Sequence, residues 1–249
     1  MRPEEYALMY RVERDHWWYL GMQHITRVLL NRWYRTGSGL RILDAGCGTG
    51  AAMTSYLAEY GQVTGIDLAG EAVRFCALRG ARRLARASVM QIPFTGGRFD
   101  LVVSLDVLYE QGVPDDTAAL REFSRVLVPG GRVLLRLPAY DWLRGRHDQA
   151  VHARHRYTRR EVAGHLAAAG FEVQLLSYAN TFLFPVAACK RLAERFRPAR
   201  EPRSDLALRT GPWNGLLAAI LSAEAPLITR TGLPFGLSVI AVGRKGSDS

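Results

Sequence analysis

The residues most able to do chemistry stand in the run Arg41-Ile-Leu-Asp-Ala-Gly-Cys-Gly-Thr-Gly50, where an apolar stretch ends in an acid and gives way to three alternating glycines. Ile42 and Leu43 suit a buried parallel strand, while Gly46, Gly48 and Gly50 admit backbone angles and close approaches that a side chain would forbid. Such a loop cradles a nucleoside cofactor. Gly46, Gly48 and Ala51 also meet the looser G-x-G-x-x-A spacing of a nicotinamide dinucleotide loop, so the glycines alone leave two cofactor classes open. Asp44 separates them. Two phosphates beside that carboxylate would be repelled, whereas a cationic amine would be attracted.

A second apolar stretch, Val63-Thr-Gly-Ile-Asp67, ends in an acid about twenty residues after the loop, where a ribose diol would lie. Helix capping is the other reading of Asp67. Further on come Ala87-Ser-Val-Met-Gln-Ile-Pro-Phe94, Phe99-Asp-Leu-Val-Val-Ser-Leu-Asp-Val-Leu-Tyr-Glu110 and Leu120-Arg-Glu-Phe-Ser-Arg-Val-Leu-Val-Pro-Gly-Gly131. In this order, over residues 40 to 177, the chain resembles class I S-adenosylmethionine-dependent methyltransferases.

The resemblance implies an α/β fold, a Rossmann-like doubly wound seven-stranded sheet, mostly parallel, with helices on both faces. It implies S-adenosyl-L-methionine as cofactor, S-adenosyl-L-homocysteine as product, and methyl transfer to a small organic acceptor through an oxygen, nitrogen or carbon nucleophile. No metal is expected, because a sulfonium needs no Lewis acid. By the same resemblance Asp44, Gly46, Cys47, Gly48 and Gly50 hold the methionine part. Asp67 and Leu68 take the ribose, Ser88, Val89 and Met90 the adenine edge, and Ser104 and Leu105 the other flank. Two departures stand out. Ser88 replaces the family's usual acid, and Tyr109-Glu110 stands where many relatives carry Glu-His.

For proton removal the candidates are Glu110, with a pKa raised by burial, and the group His147, Asp148 and His152 after the fifth strand. Glu110 also reads as a solvated loop carboxylate. The histidines, with His155 nearby, read equally as an acid/base cluster or as hydrogen-bonding struts of a long loop; a metal site is disfavoured, since no rigid ligand spacing is present. Tyr109, Tyr140, Trp142, Arg156 and Tyr157 are the candidate acceptor contacts. Trp17, Trp18 and Tyr19 could fold over the cofactor, Trp18 offering a π face to the sulfonium, or could staple a helix.

These residues require strands near 41–45, 62–67, 84–88, 100–105, 131–137 and 171–177, alternating with helices near 50–60, 70–80, 115–127 and 158–169. Residues 1–36, rich in aromatics, form a helical cap, 37–179 the cofactor-binding core, 180–234 a helical insertion, and 235–249 a final antiparallel strand and tail. The insertion is expected as two helices, Phe182 to Phe196 and Trp213 to Thr229, around a linker at 197–204. Their apolar residues suit an acceptor pocket, a homodimer face, a shallow membrane contact or plain core packing.

A chain of 249 residues, 48% hydrophobic and 22% charged, is one folded domain with appendages rather than a disordered chain. Its formal charge of +10 comes almost wholly from Arg, only Lys190 and Lys245 being lysine. The arginines are scattered, which disfavours a nucleic-acid surface. Three separated cysteines, no leader and no spanning segment point to a reduced, cytoplasmic setting. Two other readings stay open: a cofactor-binding member of the fold that does not methylate, as a cyclase or binding partner, and an NAD-dependent oxidoreductase.

Overall fold

The apolar stretches become strands because both of their faces can be buried. In the computed structural model, which describes residues 2–195 and 211–246, β1 (Leu40–Ala45), β2 (Gly61–Asp67), β3 (Leu84–Arg86), β4 (Phe99–Leu105), β5 (Leu127–Pro138), β6 (Phe171–Ala179) and β7 (Ser238–Lys245) form one sheet in the order β3-β2-β1-β4-β5-β7-β6. The first five strands pair in parallel, and β7 runs antiparallel between β5 and β6. Ile42, Leu43, Val102 and Val103 in the central strands are fully buried, with helices on both sides of the sheet. This is the Rossmann-like fold expected from the sequence. Strand order reverses between β1 and β4, which opens a crevice at their carboxyl ends.

The crossover helices α4 (Gly70–Leu78), α5 (Asp116–Val126) and α7 (Arg159–Ala168) lie close to their expected places. Asp115 caps α5 by accepting a hydrogen bond from Ala118 N at 3.0 Å, and Thr158 with Glu161 forms a reciprocal capping box on α7. The helix expected over 50–60 is instead α3 (Ala51–Thr54) and a 3-10 turn at Leu57–Glu59. Thr54 and Ser55 donate their hydroxyls to the carbonyls of Gly50 and Ala51, at 2.7 and 2.5 Å, and the ladder stops there.

The N-terminal segment is also broken, into α1 (Pro3–Val12) and α2 (Trp17–Leu30), because His16 turns the chain and accepts from Trp18 N as the cap of α2. The insertion holds α8 (Phe184–Arg195), α9 (Asn214–Ser222) and α10 (Ala225–Arg230); the expected linker at 197–204 lies outside the described residues. A short α6 (Arg146–Ala150) follows β5.

The N-terminal helices and the insertion meet in one helical layer. Asn214 accepts from Trp17 N at 2.8 Å and donates to Asp15 O at 2.7 Å, bracing the α1–α2 break. Gly21 of α2 lets α9 approach so closely that a Cβ there would lie 2.7 Å from Leu221. Glu224, fully buried, accepts from Phe182 N at 2.8 Å and so pins the turn after β6. Among the described residues no helix is long and apolar enough to cross a membrane.

Candidate cofactor and acceptor site

The crevice is a cavity of about 600 Å³, walled by the ends of β1, β2 and β4, by α1 and α2, and by α8. Backbone strain concentrates at its rim. Of the four non-glycine residues with left-handed φ among the described residues, Asp106, Tyr140 and Asn180 follow the ends of β4, β5 and β6. Such conformations persist where surrounding structure enforces them, commonly at ligand sites.

The glycine loop is shaped by two close approaches. Gly46 has φ +86°, and a Cβ there would lie 2.2 Å from Val107 Cγ2; Gly50 has φ +85°, and its Cβ would meet Cys76 Sγ at 2.8 Å. Gly46→Ala therefore adds positive-φ strain of about 1–3 kcal/mol to a steric clash with Val107. The expected outcome is a lowered melting temperature and weakened cofactor binding. Adding Val107→Ala should restore part of the stability, since it relieves the clash and leaves the strain; thermal melts of both variants check this.

Asp44, at the end of β1, is 2% exposed, and its Oδ2 has no hydrogen-bond partner among the described residues. Burial, reinforced by the nearby charges of Asp67 and Glu13, pushes its pKa up to about 7, against the pull of Arg136. A buried carboxylate oxygen without a donor, aimed into a cavity, is a place for a cation. That orphaned acceptor, together with a loop whose glycines leave room for a ligand, fits an S-adenosylmethionine ammonium.

Asp67 braces the loop. Its two oxygens accept from Gly48 N at 3.0 Å and from Ala69 N at 2.9 Å, and it lines the cavity beside Leu68. Ser88 and Val89 line the next wall, where the Ser88 hydroxyl accepts from Met90 N at 3.1 Å. Leu105 and Cys47 also face the cavity, whereas Gly50, Met90 and Ser104 stand behind it.

Glu110 faces the cavity too. Desolvation raises its pKa to about 7, with the charges of Asp67 and Asp106 adding to the rise, so it differs in kind from a solvated loop carboxylate. Asp148 has a different position. Both of its oxygens hold buried Arg156, at 2.7 and 3.1 Å, and Oδ2 also accepts from Gly145 N at 2.7 Å. The pair ties the loop after β5.

His152, with φ 56°, lines a second depression with Gln111, Arg144 and Gln149, which adjoins the main cavity at Asp148. His147 lies in α6, and its side chain is outside the described residues. His155 pairs with Asp141 at 2.7 Å.

The aromatic candidates divide likewise. Tyr109 and Trp18 line the cavity, as does Arg156. Tyr157 is buried behind it, donating to Leu108 O and Asp116 Oδ1. Tyr140 stacks on Tyr178 at 5.1 Å, and Trp142 is 43% exposed.

Two contributions escape the sequence reading. Arg136, 7% exposed, lies over the Trp18 ring at 4.6 Å from its centroid and pairs with Asp106 at 2.7 Å, so one face of that ring is used by a guanidinium. Its signal was a lone charge in the apolar run Val133-Leu-Leu-Arg-Leu-Pro138. Helix α1 supplies the second. Its C-cap residue Glu13 receives Thr49 Oγ1 and pairs with Arg79 at 2.5 Å, latching the cap to the glycine loop. Among the described residues no group of three or more His, Cys, Asp or Glu side chains could hold a metal.

Residues 43–135 match the model of the methyltransferase domain family. Over 105 residues the chain is 37% identical to a ubiquinone biosynthesis O-methyltransferase of Xanthomonas oryzae, covering 39% of this chain and 43% of that protein. The chain thus spans less than half the length of the curated relatives it matches. A solved S-adenosylmethionine-dependent methyltransferase of Methanosarcina mazei superposes with TM-score 0.58 at 17% identity, covering 88% of this chain and 98% of that one. The cyclase SpnF superposes with TM-score 0.56 at 24% identity, covering 90% and 81%. Fold and matched segment agree: the chain has the Rossmann-like fold of solved S-adenosylmethionine-dependent methyltransferases, and its residues 43–135 match a methyltransferase domain.

Proposed function

We propose that the chain transfers the methyl group of S-adenosyl-L-methionine to a small organic acceptor held in the cavity between the glycine loop and α8. The orphaned, buried Oδ2 of Asp44 carries this reading. When bound, the cofactor supplies an electrophilic methyl on a sulfonium, and the protein's part is to bind, align and deprotonate. Asp44 holds the ammonium and Asp67 turns toward the ribose. Ser88 and Val89 edge the adenine, with Leu105 on the opposite flank. Glu110, facing the same cavity with a pKa near 7, accepts the acceptor's proton at Oε1 or Oε2. The Xanthomonas relative supports oxygen as the methylated atom, and a biosynthetic role in natural-product or envelope-sugar assembly, in the cytoplasm, fits a small acceptor.

The likeness to SpnF, with Ser88 in place of an acid, favours a second reading in which the cofactor is held without being consumed. Calorimetric titration with S-adenosylmethionine, S-adenosylhomocysteine and NAD tests both against an oxidoreductase. The expected result is binding of the two sulfur ligands and none of NAD; NAD binding alone would sink the proposal. Mass analysis of turnover products then separates a methylated product from a rearranged one.

A further inference from the structure

In a surface helix the apolar stripe ordinarily turns to the core and the charges to water. Helix α8 departs from this. Pro185, Val186, Cys189, Leu192 and Ala193, spaced i, i+1, i+4, i+7 and i+8 and therefore on one face, are all exposed, Val186 to 72%. Helix α9 holds no charged residue, and Trp213, Leu216, Ala219 and Ala223 stand exposed along it and at its ends, Trp213 to 65%. At the start of α8, Phe184 meets Trp142 and Phe235 edge-on, with ring centroids 6.0 and 5.3 Å apart, and both of those neighbours are themselves exposed. Val186 of α8 and Leu217 of α9 both line the cavity, so the two helices stand at one mouth.

Exposed apolar faces of this kind mark contact with a partner. Charge decides which partner. Residues 182–235 carry eight Lys and Arg against four Asp and Glu, and one of those acids, Glu224, is fully buried. The whole chain carries +10. Ion pairs within the protein take one charge of each sign and leave these sums as they are, so the long-range potential is positive whatever each cation touches. A second copy of the chain would bring its own +10 to the same face and be repelled, whereas a polyanionic surface is attracted. Nucleic acid would satisfy the charge and leave two apolar faces in water. The headgroups and acyl chains of an anionic bilayer satisfy both.

We propose that α8 and α9 form a docking surface for an anionic lipid bilayer, with Val186, Leu192, Trp213 and Leu216 entering the boundary between headgroups and acyl chains while the insertion's positive charge draws it to the headgroups. The contact is made on the membrane surface, since among the described residues no helix is long and apolar enough to cross. Val186 belongs both to the exposed stripe and to the cavity wall, so docking brings the cavity mouth to the lipid. The docking is independent of the methyltransferase reading of the cavity.

The test is co-sedimentation of the full chain with vesicles of phosphatidylcholine alone and of equal parts phosphatidylcholine and phosphatidylglycerol, at low and high salt. The expected result is binding to the anionic vesicles about tenfold or more tighter than to the neutral ones, weakened by salt. Leu192→Glu with Leu216→Glu, neither residue in the cavity wall, should weaken that binding about tenfold or more. The melting temperature should hold, because both side chains are already about half exposed. A second measurement needs no destabilising change: lipids brominated near the headgroups should quench wild-type tryptophan fluorescence, and Trp213→Phe should lose much of that quenching. Equal binding to the two vesicles, or binding to neither, overturns the proposal, as does anionic binding that Leu192→Glu with Leu216→Glu leaves unchanged or quenching that survives Trp213→Phe in full. A dimer in solution that the two glutamates dissociate assigns the face to a second copy and overturns it too.

Discussion

Asp44→Asn should bind S-adenosylmethionine about a hundredfold more weakly than the wild type while folding at least as well. Removing one partner of a buried charge pair costs about 2–5 kcal/mol, and each 1.4 kcal/mol is about tenfold in affinity. Without cofactor the same carboxyl is a burden, since burial has already pushed its pKa up to about 7. A carboxyl whose folded pKa is raised binds its proton more tightly in the folded state. Its contribution to stability is present below the unfolded value and is lost as pH rises through about 7. The asparagine variant should therefore lose less stability than the wild type between pH 5 and 8. For the wild type, cofactor affinity should climb over the same interval as the carboxylate forms. Calorimetry at several pH values reads both, and an affinity unchanged by the substitution would remove Asp44 from the cofactor site.

Glu110→Gln should lower turnover by about 10²–10⁴, the range for a lost general base, with little change in S-adenosylhomocysteine affinity. A base must be ionised to accept a proton, so wild-type kcat should rise with pH and level off above about 7, the value to which desolvation and the charges of Asp67 and Asp106 bring this group. The glutamine variant should lose that limb. Its persistence would assign the titration elsewhere, with Asp44 the first group to examine. His152→Ala, outside the cavity, should leave the profile intact.

The glycine-loop wall of the cavity was legible in the sequence because its residues are local. Asp44, Gly46, Cys47 and Gly48 lie within one short stretch, Asp67 closes the next strand, and strand period and glycine spacing survive without tertiary context. The far wall was not. His147, His152 and Asp148 are close in sequence, which made them look like one cluster, yet Asp148 turns inward onto Arg156 and His152 faces another depression. Nothing in the residue types foretells which way a loop with a left-handed residue will turn. Arg136, Trp18 and Asp106 come from three distant elements, and only the fold brings them together. The helical breaks at Ser55 and His16 were missed because hydroxyl back-bonding and a histidine cap compete with propensity at the level of single hydrogen bonds.

Ala179 and Ser238 are register partners on neighbouring strands, so the chain departs from the sheet and returns beside its point of departure. Everything between them is a closed excursion. Lengthening such an excursion costs only about 0.6 kcal/mol per doubling, and the strands that present Asp44, Asp67 and Glu110 have all been laid down before it begins. The proposed acceptor wall is thus a cassette set on strands that are complete without it. It docks on α2 where Leu221 presses on Gly21 and where Asn214 bonds Trp17 N. On the proposed function, substitutions in the cassette should change which acceptor is taken while leaving binding of the donor as it is.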